Sequence, residues 1–170
     1  MRIAVIGYSG SGKSTLAKEL GSFYGVPVLF MDKICNDKKW KALPLKDRID
    51  ALDEFLKNND SWIIDGNYNR VNYWERMQLA DKIIFLDFNR FDCYKSAKAR
   101  AKTYSSSSRE SAPEGAVDRF NLSFKLWILF TGRTRKYKKT YKQTVEDYKD
   151  KVVILKNRQD IDKFVKSLRK

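Results

Sequence analysis

The sequence predicts an α/β fold in which a parallel sheet carries helices on both faces, and three observations lead to this expectation. Five short apolar runs, typical of buried strands, are spread along the chain, and segments with the apolar spacing of helices separate them. A complete glycine-rich phosphate-binding pattern joins the first run to the first helical segment. Turn signals such as Gly25, Pro27 and Gly132 lie between the elements.

The phosphate-binding pattern extends from Gly7 to Ser14 and matches G-x-x-x-x-G-K-[ST] at every fixed position. The run from Arg2 to Ile6 before it predicts a buried strand, and Lys13 to Tyr24 has the apolar spacing of a helix. The glycines let successive backbone N–H groups surround a phosphate, and the helix dipole directs its positive end at the same point. A strand-to-helix turn that matches by chance is the alternative, and the correct flanks argue against it.

The pattern predicts roles for individual residues in a site for ATP and Mg²⁺. Lys13 is expected to contact the β- and γ-phosphates and to act in catalysis, the Ser14 hydroxyl to be a ligand of Mg²⁺, and Thr15 to lie near the α-phosphate. The residues expected to bind the nucleotide are Gly7, Ser9, Gly10, Ser11, Gly12, Lys13, Ser14 and Thr15.

Length and composition bound the class of protein. A chain of 170 residues with 42% hydrophobic residues predicts one domain, residues 1–170, with a substantial core. No apolar run approaches the ~20 residues that span a bilayer, and the chain enters its first strand directly, so we expect neither a membrane segment nor a signal peptide. Cys35 and Cys93 lack metal-ligand spacing and there is no histidine, which argues against a zinc site. A reduced, cytoplasmic protein is the expectation.

The formal charge of +14 is distributed unevenly. Residues 90–142 contain 14 Lys and Arg against 4 Asp and Glu, so most of the excess lies in that segment. A polyanionic partner would explain it, either a nucleotide held by several basic side chains or a nucleic acid held along a surface. A solvated basic face explains it as well.

A second strand is predicted at Val28 to Phe30, and Asp32 follows it. The carboxyl edge of a parallel sheet is where such folds bind ligands, so Asp32 is expected to hold Mg²⁺ through water or to accept a proton from a substrate hydroxyl. Capping of a turn is the alternative. Residues 33–60, an irregular stretch followed by a helix after Pro44, are expected to form an acceptor-binding flap. Trp40 is interpreted as a stacking surface for an acceptor, and plain core packing fits it equally.

A third strand is predicted to end at Asp65, beside the strand of the phosphate loop. Asp65 is expected to orient the water shell of the metal ion, and Gly66 to let the chain turn sharply. The residues expected to reach the transferred phosphoryl group or the acceptor are Gly66, Asn67, Tyr68 and Arg70. The same residues are also good turn formers, which is the alternative.

The remaining elements are a helix over residues 71–79, a strand from Lys82 to Asp87 and a helix after Asn89. The serine-rich segment 104–116 has no apolar periodicity and is expected to be a mobile lid that excludes water, with an inert connector as the alternative. A helix then returns through residues 120–130, Gly132 interrupts it, and Arg133 and Arg135 are expected to point toward the phosphates. A strand over residues 152–155 and an amphipathic helix close the chain.

Taken together, several segments resemble the bacterial DNA topology modulation proteins, a branch of the adenylate-kinase-like P-loop fold. The resemblance covers nearly the whole chain, and the segments that carry it are Gly7 to Ser14, the strand end at Asp32, Trp62-Ile63-Ile64-Asp65-Gly66-Asn67-Tyr68, Ile83 to Arg90, Arg109 with Glu114-Gly115, and Trp127 with Arg133. It implies a five-stranded parallel sheet in the order 2-3-1-4-5, a flap, a lid and an ATP-dependent phosphotransferase site.

The resemblance also implies residue roles. Asp65-Gly66 resembles the Asp-Gly of adenylate kinases, whose Asp serves the Mg²⁺ shell, and Arg100 falls where those kinases have a phosphate-binding arginine. Arg109 resembles a lid arginine, and Arg133 and Arg135 resemble those of the returning helix; a catalytic role is implied for Arg100, Arg133 and Arg135.

Two departures from relatives limit what is implied about the acceptor. Cys35 and Asn36 stand where relatives tend to have His and Trp, and Gly66 to Arg70 replaces the Gly-Phe-Pro-Arg of adenylate kinases, which argues against AMP. We therefore expect a kinase whose acceptor is a small molecule of unknown identity. The alternative is a nucleotide-regulated protein that affects DNA topology through its basic surface, although no groove-reading motif is present.

Overall fold

The computed structural model describes residues 1–105, 107–118 and 120–169. The strands are β1 (Arg2–Gly7), β2 (Val28–Phe30), β3 (Trp62–Asp65), β4 (Lys82–Leu86) and β5 (Val152–Leu155). The helices are α1 (Lys13–Tyr24), α2 (Met31–Cys35), α3 (Leu45–Asn58), α4 (Tyr73–Leu79), α5 (Arg90–Thr103), α6 (Leu122–Leu129), α7 (Arg135–Asp147) and α8 (Arg158–Leu168), with a 3₁₀ turn at Thr131–Arg133.

The five strands form one parallel sheet in the order β2-β3-β1-β4-β5, which confirms the predicted fold class and strand order. The register aligns Val5 of β1 with Asp65 of β3, and Asp65 with Phe30 of β2. The chain therefore leaves these three strands at the same edge of the sheet. That edge carries the phosphate loop, Gly66 and the beginning of α2.

The three central strands form the core. Ile3 to Ile6 of β1 and Trp62 to Ile64 of β3 are at most 1% exposed, and the apolar part of β4 is buried as well. Strands covered on both faces are apolar without alternation, which is why the apolar runs predicted them so closely. Within the described ranges, none of the helices combines the length and apolar character that a membrane span requires.

Two local features differ from the sequence-based expectations. Residues 31–35 form a single helical turn, whereas an irregular stretch is predicted from residue 33, and Asp32 lies in that turn. Met31 and Cys35, four residues apart, are both fully buried by this turn, which explains why it forms. Helix α4 begins at Tyr73 rather than near Val71, because Asn72 has a left-handed backbone with φ of 44°.

The phosphate loop packs closely against α5 through Gly10. Gly10 has φ of +84°, and a methyl group added to it would lie 2.3 Å from the carbonyl oxygen of Cys93. Gly25, at the end of α1, also has a positive φ, of +64°, but nothing lies within 4 Å of a methyl group there. An alanine at Gly25 would therefore have the cost of a left-handed backbone alone, whereas an alanine at Gly10 would have that cost and a steric overlap as well.

We expect Gly25→Ala to lower the free energy of unfolding by about 1 kcal/mol, the cost of a left-handed alanine. Gly10→Ala should lower it by about 1–3 kcal/mol more, because the added methyl group must displace the backbone of α5 or of the loop. Urea unfolding of both variants measures the difference. Equal losses of stability would contradict the close approach of the loop to α5.

Candidate functional site

The phosphate loop connects β1 to α1 in a conformation that only glycine adopts easily. Gly7, Gly10 and Gly12 have φ of 142°, 84° and 98°. Among the described residues, no side chain caps the first turn of α1, so the amides at its beginning are available to an anion. Ser11 is buried and its N–H donates to the carbonyl oxygen of Tyr8 at 3.2 Å, which closes the loop. Thr15 is exposed.

Lys13 and Ser14 face the end of β3. The Lys13 ammonium donates to the carbonyl oxygen of Tyr8 at 2.9 Å, within the loop itself. Burial lowers the pKa of Lys13, while the nearby carboxylates of Asp65 and Asp32 oppose that shift. The Ser14 hydroxyl donates to Asp65 Oδ2 at 2.6 Å. The loop and the end of β3 thus form one polar site.

Asp65 is the buried acid of this site, with 6% of its surface exposed. Burial raises its pKa to about 6, and the charge of Lys13 and the hydrogen bond from Ser14 act against that rise. Its Oδ1 is buried without a hydrogen-bond partner among the described residues. Because an unpaired buried oxygen is costly, Asp65 Oδ1 is available to a water molecule or a cation.

The donor set fits Mg²⁺. The Ser14 hydroxyl and the Asp65 carboxylate offer the oxygen ligands that Mg²⁺ prefers, and Asp65 Oδ1 has capacity to spare. In the described part of the chain there is no cluster of three or more Cys, Asp or Glu side chains that could hold a metal ion by itself. A magnesium ion here would therefore complete its shell with water and phosphate oxygens, as is usual for this ion.

Asp32 forms a second polar cluster at the start of α2. Tyr68 donates its hydroxyl to Asp32 Oδ1 at 2.7 Å, and Arg109 donates to Asp32 Oδ2 at 3.1 Å. Asn36 donates from its amide nitrogen to the Tyr68 hydroxyl at 2.7 Å and to the Asp32 carbonyl oxygen at 3.1 Å. Both carboxylate oxygens are thus engaged by protein groups. Burial, with the charge of Asp32, raises the pKa of Tyr68.

Asn67 joins the turn after β3 to the phosphate loop. Its amide nitrogen donates to the Gly7 carbonyl oxygen at 2.8 Å, and its Oδ1 accepts from the Gly7 N–H at 3.0 Å. Gly66 before it has φ of 131°, and a methyl group there would lie 2.7 Å from Met31 Cβ. Tyr68 after it has φ of 37°, which is rare for a bulky residue and typical of functional turns.

Arg109 of the predicted lid lies against Trp40 of the predicted flap, and Ser106 of that lid lies outside the described residues. Arg109, in this segment, is an ion-pair partner of both Asp32 and Asp118, each at 3.1 Å, and its guanidinium lies 5.4 Å from the centre of the Trp40 ring. Arg100 of α5 pairs with Asp118 at 2.6 Å. Trp40, with φ of 60°, donates its ring N–H to the Val117 carbonyl oxygen at 3.0 Å. The side chains of Arg109 and Asp118 are only 8% and 4% exposed, so this ion pair is shielded from solvent.

The other predicted arginines divide into two groups. Arg133 lies beneath the phosphate loop, with its guanidinium 3.7 Å from the centre of the Tyr8 ring and bonded to the Phe88 carbonyl oxygen at 2.9 Å. Arg70 and Arg135 are exposed, and neither forms a hydrogen bond or ion pair to the site in the described ranges. The geometry therefore does not bring Arg70 or Arg135 into the site, because each projects from its turn or helix into solvent.

Sequence reasoning missed several residues that contact the site. Trp127 donates its ring N–H to Ser9 Oγ at 3.1 Å. A methyl group on Gly12 would lie 2.3 Å from the Arg158 guanidinium. Asp118 bridges Arg100 and Arg109. Each of these contacts joins distant parts of the chain, so no local pattern could have indicated them.

Solved kinase structures share this fold. Deoxyadenosine kinase from M. mycoides with bound dATP has a TM-score of 0.58 and 17% identity, with 100% of both chains covered. Shikimate kinase from Bacteroides thetaiotaomicron has a TM-score of 0.52 and 16% identity over 99% of this chain and 96% of that one. A gluconokinase from Sinorhizobium meliloti has a TM-score of 0.54 and 17% identity over 97% of this chain and 87% of that one.

These likenesses define the class: the chain has the P-loop kinase fold, over its whole length. No protein-family model matches the chain, and no curated protein matches it. None of the three kinases is a DNA topology modulation protein, so they support the P-loop kinase part of that resemblance and give no support to the finer assignment.

The raised pKa of Asp65 predicts a pH-dependent cost of folding. An acid whose pKa rises on folding loses stability as pH increases, here between about 4 and about 6, and the full cost remains above that range. Asp65→Asn removes this titration. Its stability relative to the unmutated, ligand-free protein should therefore rise by about 2–3 kcal/mol between pH 4 and pH 8.

Urea unfolding at the two pH values measures this difference. Asp50→Asn is the control, because Asp50 belongs to an exposed pair with Lys46 on α3 and should show no gain of this size. If the difference in free energy of unfolding between D65N and the unmutated protein does not change with pH, burial does not raise the pKa of Asp65.

Proposed function

We propose that this protein is an ATP-dependent kinase that transfers the γ-phosphoryl group of ATP to a hydroxyl group of a small-molecule acceptor. One observation supports this proposal above the others. The Ser14–Asp65 pair and the Asp32–Tyr68 pair lie at the same edge of the sheet, and Asn67 links that edge to the phosphate loop. A loop that can bind phosphate and a carboxylate that can accept the proton of a hydroxyl group thus lie at the same edge of the sheet.

The donor half of the reaction belongs to the phosphate loop. The amides of Gly10 and of Gly12 to Ser14 bind the β-phosphate, and Lys13 exchanges its bond to the Tyr8 carbonyl oxygen for the phosphates. Ser14 and Asp65 would hold a magnesium ion, which would supply charge neutralisation on the phosphates. Asp65 Oδ1, which has no hydrogen-bond partner among the described residues, would be available to it.

The acceptor half belongs to Asp32 and its neighbours. Asp32 binds the acceptor hydroxyl and draws its proton as the oxygen attacks phosphorus. Tyr68 and Asn36 fix the orientation of the carboxylate through the bonds at 2.7 Å. The flap, residues 33–60, contributes the face of Trp40 as one wall.

The lid, residues 104–116, closes the site. Arg109 is bound to Asp32 and Asp118, and Arg100 to Asp118, in the form described. When ATP and acceptor bind, Arg109 leaves Asp32 for the phosphates, which frees an oxygen of Asp32 for the hydroxyl. The Asp32 side chain is 36% exposed in this form, so closure of the lid over the bound substrates is the step that would exclude water and limit competing hydrolysis.

The acceptor is not fixed by the fold, because the three kinases that share it are named for different acceptors. A second candidate function has one specific observation in its favour. Helix α7 presents an exposed row of basic side chains, Arg135, Lys136, Lys138, Lys139 and Lys142. Such a row suits a polyanion, and a nucleotide-regulated protein that binds DNA and has little kinase activity is the alternative.

We expect an acceptor to appear when nucleosides, nucleotides, polyols and sugar acids are incubated with labelled ATP and Mg²⁺. Asp32→Asn should lower the turnover number at least about 100-fold, because it removes the proton acceptor. It should leave the affinity for a non-hydrolysable ATP analogue within about threefold, since Asp32 lies outside the phosphate loop. Product analysis and calorimetry measure the two effects.

Asp50→Asn, in the exposed pair on α3, is the matched control and should retain full turnover. Slow hydrolysis without transfer to any acceptor, together with DNA affinity that falls steeply with salt and persists in Lys13→Ala, would favour the alternative.

A further inference from the structure

Arg76 of α4 is a charged side chain that the proposed reaction does not use, and it is fully buried. Its guanidinium donates to the carbonyl oxygens of Gly66 at 3.0 Å, of Asn67 at 2.6 Å and of Val71 at 3.2 Å. A weaker contact reaches the Tyr68 carbonyl oxygen at 3.4 Å. One side chain therefore holds most of the carbonyl groups in the turn after β3.

The charge of Arg76 is balanced by dipoles and not by a counter-ion. In the parts of the chain that the structure describes, no carboxylate lies within ion-pair distance of it. Burial lowers its pKa to about 10, so it remains charged at neutral pH. A buried charge without a partner acid is costly, so the hydrogen bonds of the guanidinium must offset that cost. The hydrogen bonds from the Arg76 guanidinium to the carbonyl groups of the turn are what an apolar side chain could not provide.

The turn that Arg76 holds has a contact with each half of the site. Asn67 forms two hydrogen bonds with Gly7 of the phosphate loop, and Tyr68 donates to Asp32. The backbone of this turn is unusual, with φ of 131° at Gly66 and 37° at Tyr68. Such a conformation persists only when its surroundings determine it, and the four carbonyl contacts provide that determination.

We propose that Arg76 is a positioning residue that couples the phosphate loop to the acceptor side. By fixing the carbonyl groups of residues 66–68, it directs the Asn67 side chain to Gly7 and the Tyr68 side chain to Asp32. The effect on ATP binding rests on the proposed function, whereas the effect on the Gly7 contact does not.

The alternative is that Arg76 only stabilises α4, and a matched control separates the two. Met77 is the next residue of the same helix, is also fully buried, and forms no hydrogen bond to the turn. Met77→Ala therefore destabilises the same helix without touching the turn. Arg76→Met removes every carbonyl contact, and Arg76→Lys keeps the charge but cannot span the separate carbonyl groups.

The first measurement is the ¹H–¹⁵N resonance of the Gly7 amide in the ligand-free protein. This amide donates to Asn67 Oδ1, so its resonance should move in both Arg76 variants and stay in place in Met77→Ala. The second is the affinity for a non-hydrolysable ATP analogue with Mg²⁺. It should fall about tenfold in Arg76→Lys, as for the loss of an outer-shell contact.

The double variant Arg76→Lys with Asn67→Ala should lose little more affinity for the ATP analogue than either single variant, because both residues act through the contact between Asn67 and Gly7. A Gly7 resonance that stays in place in the Arg76 variants would overturn the proposal. An affinity of Arg76→Lys for the ATP analogue within twofold of that of the unmutated protein would also overturn it, provided that Met77→Ala and Arg76→Lys lose the same stability. If the unmutated protein binds no ATP, the proposed function fails and the Gly7 resonance alone decides. If neither Arg76 variant folds, the unmutated protein is titrated with the non-hydrolysable ATP analogue, and we expect the Arg76 Nε–H resonance to shift. A resonance that does not shift would overturn the coupling.

Discussion

The close packing of the phosphate loop is the constraint on which the rest of the structure depends. Methyl groups added to Gly7, Gly10 and Gly12 would lie 2.5, 2.3 and 2.3 Å from Leu86, Cys93 and Arg158. The loop is therefore in close contact with the backbones of β4 and α5, where an added methyl group does not fit, and with the flexible end of the Arg158 side chain of α8. Since its amides must face one point to bind an anion, this packing fixes the geometry before any ligand arrives.

The polar residues around the loop impose a cost that packing elsewhere must offset. Lys13 has a lowered pKa and Asp65 a raised one, both because of burial, and each lies near the other. Arg109 and Asp118 form a buried ion pair, and Arg76 is buried with no acid in ion-pair distance among the described residues. Buried charges lower the stability of the fold but hold the polar side chains in one arrangement, as expected of a preorganised site. The buried apolar residues of β1, β3 and β4 supply the hydrophobic burial that offsets this cost.

The sequence predicted most of the architecture because its central strands are short continuous apolar runs. The bounds of α1, β2 and β5 match the predicted ones, and β3 ends at Asp65 as predicted. Helix α2 was missed since a single turn that buries Met31 and Cys35 carries too few residues to show periodicity. Arg70 and Arg135 were assigned to the site because a motif gives the position of a residue along the chain but not the direction of its side chain. Asp118 and Arg76 matter through contacts with distant residues, and single-sequence patterns contain no signal for such pairs.

The central claim is that the amides at the start of α1 bind a triphosphate. Titration of ¹⁵N-labelled protein with a non-hydrolysable ATP analogue and Mg²⁺ tests it most directly. We expect the largest resonance shifts at the amides of Gly10 to Thr15, with saturation at one equivalent. No saturable shift at those amides, or shifts confined to the basic surface of α7, would contradict the account.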